Sequence, residues 1–242
     1  MDSLDAERRG ADARYIGHLD QEEVIQKLLR KDPRLVGLFV SEHNWFAGAG
    51  HIIGTSTTLK ELVITCLDAG EEEVHWFNEL CTSLVRNETI ESMVLCIQNE
   101  RFPGLDGLIP FLENNRRLLN FCVDGCPLPM SVVLALSKRE NDLLNRIVID
   151  RVDATDEVIA LFFSMLNGKS CLSELKYCNN HIQRAGCTAL SNWLRNPANK
   201  TEYLDLQNNG FDDNCIAILD TCFKWKLSGI CNRFNILVSN HI

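Results

Sequence analysis

The stretch NKTEYLDLQNNGFDD, residues 199–213, places leucines at alternating positions, Leu204 and Leu206, and then runs into Asn208, Asn209 and Gly210. Alternation puts both leucines on one face of a strand, and the residues after them suit a turn. Sliding the stretch along the chain decides whether it is a single strand or one unit of a pattern. Counted from Thr201, the strand positions that face one way are 1, 4 and 6, and position 9 is Asn209. The same frame recurs as LSELKYCNN from Leu172, LNRIVIDRV from Leu144, LLNFCVDGC from Leu118, IESMVLCIQ from Ile90, LKELVITCL from Leu59 and LVGLFVSEH from Leu35. Of the 21 residues at positions 1, 4 and 6 only Thr201 is not apolar, in a chain that is 45% apolar overall, so chance does not explain the pattern.

Successive starts lie 24, 31, 28, 26, 28 and 29 residues apart. A second apolar column, not used to set the frame, falls at position 19: Ile53, Phe77, Leu108, Leu136, Phe162, Leu190 and Leu219. Leu112, Leu166, Leu194 and Phe223 follow four residues later, the spacing of one helix face. Each unit therefore reads as a short strand followed by a helix. One such unit cannot bury its apolar stripe alone, so units stack, with strands in a parallel inner sheet and helices outside.

The pattern resembles the leucine-rich repeat, L-x-x-L-x-L-x-x-N/C-x-L with a period of about 20–29 residues. The unit length, the helical second half and a glycine at position 15 (Gly104, Gly186) resemble the ribonuclease-inhibitor-like class of that family. The resemblance spans about residues 35–223. It implies an α/β fold, a horseshoe solenoid of about seven repeats, and a binding surface on the concave side; the class includes inhibitors, GTPase activators, immune receptors and ligase adaptors. In the family position 9 is an Asn or Cys that bonds loop backbone. Here it is His43, Leu67, Gln98, Cys126, Val152, Asn180 and Asn209, so the turns at Leu67 and Val152 are expected to be looser. Pro110 is expected to shorten its helix or make it restart there, and Gly48, Gly50 and Gly54 to weaken the first one.

Residues 1–34 read as an N-terminal helical cap, with DQEEVIQKLLR (20–30) amphipathic through Val24, Leu28 and Leu29; residues 35–223 hold the repeats. Residues 224–242 lose the frame and read as a degenerate closing unit or a tail.

Charge and composition narrow the function. A formal net charge of −9 argues against nucleic acid and favours a partner with a basic surface. The charged N-terminus lacks the apolar core of a secretory signal and no apolar run could span a bilayer, which together predict a cytoplasmic protein with no membrane partner. The eleven cysteines show no C-x-x-C pair and are expected to be reduced. The sequons at Asn87 and Asn199 read as ordinary polar loops. Six histidines at no ligand spacing, and no P-loop, G-x-G-x-x-G, G-x-S-x-G or HExxH, predict no catalysis, metal or cofactor; GAGHIIG at 48–54 lies in a helix segment.

What remains is a surface. With positions 4 and 6 committed to the core, positions 3, 5 and 7 face the concave side. Position 5 reads Phe39, Val63, Val94, Cys122, Val148, Lys176 and Asp205; position 3 reads Gly37, Glu61, Ser92, Asn120, Arg146, Glu174 and Tyr203. Phe39, Val63, Val94 and Val148 are expected to expose an apolar strip that continues into Glu174, Lys176, Tyr203 and Asp205. The sequence thus predicts a non-catalytic protein-binding scaffold. The other reading is an enzyme regulator, a GTPase activator or an inhibitor of a basic hydrolase. If the strip is exposed, Val94→Lys with Val148→Lys should abolish binding without disturbing the fold.

Overall fold

A computed structural model of the chain describes residues 21–41, 49–66, 71–97, 104–138, 143–227 and 235–237. Helix α1 (Gln21–Leu29) precedes strand β1 (Gly37–Val40). Helices and strands then alternate: α2 (Gly50–Gly54), β2 (Glu61–Cys66), α3 (Glu71–Leu84), β3 (Ser92–Ile97), α4 (Ile109–Asn114) and β4 (Asn120–Asp124). The alternation continues through α5 (Met130–Ser137), β5 (Arg146–Asp150), α6 (Asp156–Leu166), β6 (Glu174–Cys178), α7 (Arg184–Arg195), β7 (Tyr203–Asp205), α8 (Asp213–Leu227) and β8 (Asn235–Leu237). The eight strands form one parallel sheet in sequence order. The fold is α/β, with every strand hydrogen-bonded only to its neighbours in the chain.

Register follows the sequence frame. Leu38, Leu62, Met93, Phe121, Ile147, Leu175 and Leu204, all at position 4, lie side by side across the sheet. Every residue at positions 1, 4 and 6 is buried, and so is every position 19 residue from Ile53 to Leu219. These four columns meet in one continuous core between sheet and helices. Thr201, the single polar member, is buried because its hydroxyl donates to the Leu172 carbonyl at 3.2 Å.

Two polar columns hold the turns. At position 8, Gly125, Arg151, Asn179 and Asn208 all adopt left-handed backbone, with φ of 80°, 50°, 54° and 59°. That conformation aims the N–H of Gly125, Arg151 and Asn179 at the carbonyl of Asp150, Cys178 and Gln207 in the following unit. Just before the strands, Ser56, Asn87 and Asn115 accept the N–H groups of the second and third residues after them, tightening each entry. Asn87 is buried and its amide donates to the Gly54 and Ser56 carbonyls, which places the first sequon inside the fold.

At position 9, Asn209 donates to the Tyr177 and Leu206 carbonyls. Asn180 donates to Ile149 O and accepts the Val152 N–H at 2.7 Å. The turn at Val152, expected to be loose, is therefore tied from the next unit. His43, Leu67 and Gln98 lie outside the described residues.

Helix details also follow from local chemistry. Pro110 stands in the first turn of the six-residue α4, after a 3₁₀ turn at Asp106–Leu108, where its missing N–H costs nothing. In α2, a Cβ at Gly50 would lie 2.8 Å from Trp76 O, and one at Gly54 would lie 2.6 Å from Ser83 Cβ. Those glycines let α2 lie against α3, so they serve close packing rather than merely weakening a helix. At Gly186 the obstacle is the Asp156 carboxylate, which accepts the N–H groups of Gln183, Ala185 and Gly186 and so caps α7 from the preceding unit.

At the ends, Val24 and Leu28 of α1 join the core, whereas Leu29 is exposed rather than sharing their face. The last segment contributes β8, with Ile236 opposite Leu204. Asn235 lies opposite Tyr203, a longer step than any upstream, which is why the frame fails near residue 230.

Candidate functional site

The sheet face away from the helices carries the predicted column in register: Phe39, Val63, Val94, Cys122, Val148, Lys176 and Asp205 lie strand beside strand. Position 3 runs parallel to it as Gly37, Glu61, Ser92, Asn120, Arg146, Glu174 and Tyr203. The expected exposure of the apolar strip is corrected. Phe39 and Val94 are half-buried, but Val63 is 5% exposed, Cys122 1% and Val148 1%. Cys122 and Val148 form a small apolar seam of their own, with Val94 packed against it, separate from the main core.

Charged side chains contribute to the cover. The Arg146 guanidinium reaches across the seam, donating to Cys122 Sγ at 3.1 Å and pairing with Glu174 at 3.0 Å. Glu174 also holds Lys176 at 3.5 Å, and the Lys176 ammonium lies 5.7 Å from the centre of the Tyr203 ring. The aliphatic stem of an arginine shields apolar surface well while its head stays wet. A lysine at position 148 would thus be forced into a dry seam, so the Val148→Lys change would unsettle the fold instead of testing the surface. Arg146 was legible as a member of the position 3 column, but its role as a lid over position 5 depends on side-chain reach.

At the other end of the column, Asp205 is buried and its carboxylate accepts the Gln207 N–H at 3.1 Å, so it shapes the turn. Tyr203 is half-buried; burial and the neighbouring Asp205 carboxylate raise its phenol above the ordinary value, so it remains a hydrogen-bond donor. Glu174, Lys176 and Tyr203 are half-buried and stand together, with Arg146, as the polar half of the face.

A second row missed at the sequence level runs along the strand ends. Arg151 grips the buried Asp124 carboxylate with two bonds of 2.8 and 2.6 Å. Asn179 donates to Asp150, and Asn208 donates to Asn179. Each link joins one unit to the next. The signal was present in positions 7 and 8, where Asp, Arg and Asn recur.

His51 Nδ1 lies 3.0 Å from Ser83 Oγ, the one Ser–His contact among the described residues. The Ser83 hydroxyl already donates its proton to the Glu79 carbonyl at 2.9 Å, so the imidazole nitrogen acts as the donor. A serine so placed is not activated by the histidine. No group of three or more metal-ligating side chains is brought together among the described residues. Cys81, Cys96, Cys122, Cys126, Cys171, Cys178, Cys187, Cys215 and Cys222 are free thiols, and of these all but Cys171 are buried.

No family model matches the chain, and no curated protein matches it. No helix among the described residues is long and apolar enough to cross a membrane.

Proposed function

We propose that the chain is a leucine-rich-repeat solenoid of the ribonuclease-inhibitor-like class that holds a protein partner on its concave face and performs no catalysis. The sequence-ordered parallel sheet, one helix per unit and the buried columns at positions 1, 4, 6 and 19 support the repeat reading. Strands spaced about 4.8 Å apart beside helices about 10 Å wide bend such a stack with its strands inside. The observation that carries the functional reading is the sheet face away from the described helices. Phe39 and Val94 offer half-buried apolar contact at one end, and Arg146, Glu174, Lys176 and Tyr203 offer an aromatic and charge-paired patch at the other. Tyrosine and arginine in such a setting are frequent binding anchors. The net charge of −9 favours a basic partner.

The test compares three immobilised proteins: wild type, Val94→Lys with Tyr203→Ala on the sheet face, and Ile216→Lys on the exposed side of α8. Proteins retained by wild type and by Ile216→Lys, but lost from the sheet-face variant at an unchanged melting temperature, are the expected outcome. Loss from the α8 variant alone would move the site to the helices.

A further inference from the structure

The segments that lead from helix to strand hold Lys60, Arg86, Arg116, Arg117, Lys138 and Lys200, beside Glu88, Glu91 and Glu202. Asp124, Asp150, Asp156, Asp205 and Asp212 lie at the opposite edge of the sheet. Helix polarity explains part of this, because cations favour helix C-termini. It does not explain three guanidiniums at one place. Arg86 follows α3 and Arg116 and Arg117 follow α4, and together with Val85, Asn87, Glu88 and Asn114 they line a cavity of about 710 Å³. That volume falls within the range of small-ligand pockets, about 300–1,000 Å³. Glu88 is the one acid in the lining.

The floor beneath these arginines is fixed. Buried Asn87 donates to Gly54 O and Ser56 O, and buried Asn115 donates to Asn87 O and Ile90 O, each at 3.0–3.2 Å. The Asn115 carboxamide oxygen accepts the N–H of Arg117 at 2.8 Å. Exposed arginine arms thus spring from backbone that two adjoining units hold in place, which lowers the ordering cost of binding.

We propose that this cavity binds a phosphate-bearing ligand. The guanidinium fork matches phosphate geometry, and one phosphate offers enough acceptor oxygens to engage two or three arginines, where a carboxylate satisfies one fork. The site is separate from the sheet face and does not depend on it.

The test titrates the full chain, at about 150 mM salt to screen diffuse attraction, with inorganic pyrophosphate in one arm and a phosphoserine peptide of otherwise neutral sequence in the other. Saturable one-to-one binding in either arm is expected, and the arm that binds identifies whether free phosphate or a modified peptide is the source. Arg86→Gln with Arg117→Gln should weaken it roughly tenfold or more, whereas Lys138→Gln, on the same edge but outside the cavity, should leave it unchanged. Should the double variant melt early, Arg86→Gln alone, at an exposed side chain, is read instead. No saturable binding in either arm, undiminished binding in the arginine variants, or an equal loss in Lys138→Gln overturns the proposal.

Discussion

Arg151 carries two opposing contributions. Its φ of 50° is disfavoured for a residue with a Cβ, by about 1–2 kcal/mol. Its guanidinium bonds twice to Asp124, whose side chain is 1% exposed, and a hydrogen bond to a charged group contributes about 1.5–3 kcal/mol. Removing the arm while keeping the strain should therefore be worse than removing both. Arg151→Ala is expected to cost about 2 kcal/mol in urea denaturation and Arg151→Gly about 1 kcal/mol less; equal losses would show that the left-handed turn stores no strain. The sequence revealed position 8 only in part. Gly125, Asn179 and Asn208 belong to the residue types that tolerate this turn, but Arg151 does not, and its bonds to Asp124 and to the Cys178 carbonyl offset the strain. Positions 4 and 6 were legible because apolar burial imposes a period. The burial of Val148 was not, because it depends on how side chains around the Cys122–Val148 seam lie, and no period encodes that.

At the scale of elements, α2 is the shortest of the described α-helices, five residues with a glycine at each end. Propensity alone makes those glycines a defect, and the sequence reading treated them so. The spacing of Gly50 and Gly54 puts both on one face, and that face meets the backbone of α3 near Trp76 and Leu80. A methyl group at Gly54 would have to push aside Ser83 Cβ at 2.6 Å and Leu80 O at 3.0 Å. Gly54→Ala, which would stabilise an isolated helix by about 1 kcal/mol, is instead expected to destabilise the protein by about 1–3 kcal/mol through overpacking. A rise in thermal stability for this variant would separate α2 from α3. Pro110 was read correctly because its effect is local, confined to its own ring and missing N–H.

Across the whole molecule, buried thiols report on how the units hold together. Burial pushes Cys81 and Cys126 from an ordinary value near 9 up to about 12. A thiol held neutral in the fold but free to ionise when unfolded favours the fold fully below pH 9, and that contribution is lost as pH rises from there toward 12. The melting temperature should therefore fall between pH 8 and pH 10.5, and less so after Cys81→Ala with Cys126→Ala. Alkylation of the native protein mapped by mass spectrometry should label Cys171 quickly, while Cys81, Cys126, Cys187 and Cys222 react only on opening. If the units open one after another, protection will be lost in neighbouring groups; simultaneous loss would mark one cooperative body.

The order of the strands has a consequence for how the chain is made. Because β1 to β8 pair strictly in sequence, each strand waits only for the next to emerge, and no partner is held back to the end of synthesis. At about 5–20 residues per second a ribosome delivers a 28-residue unit every few seconds, while closing a loop of that size takes well under a millisecond. Docking can thus keep pace with translation. The growing end of the sheet then always presents one unpaired strand edge, which the next unit covers within seconds of its appearance.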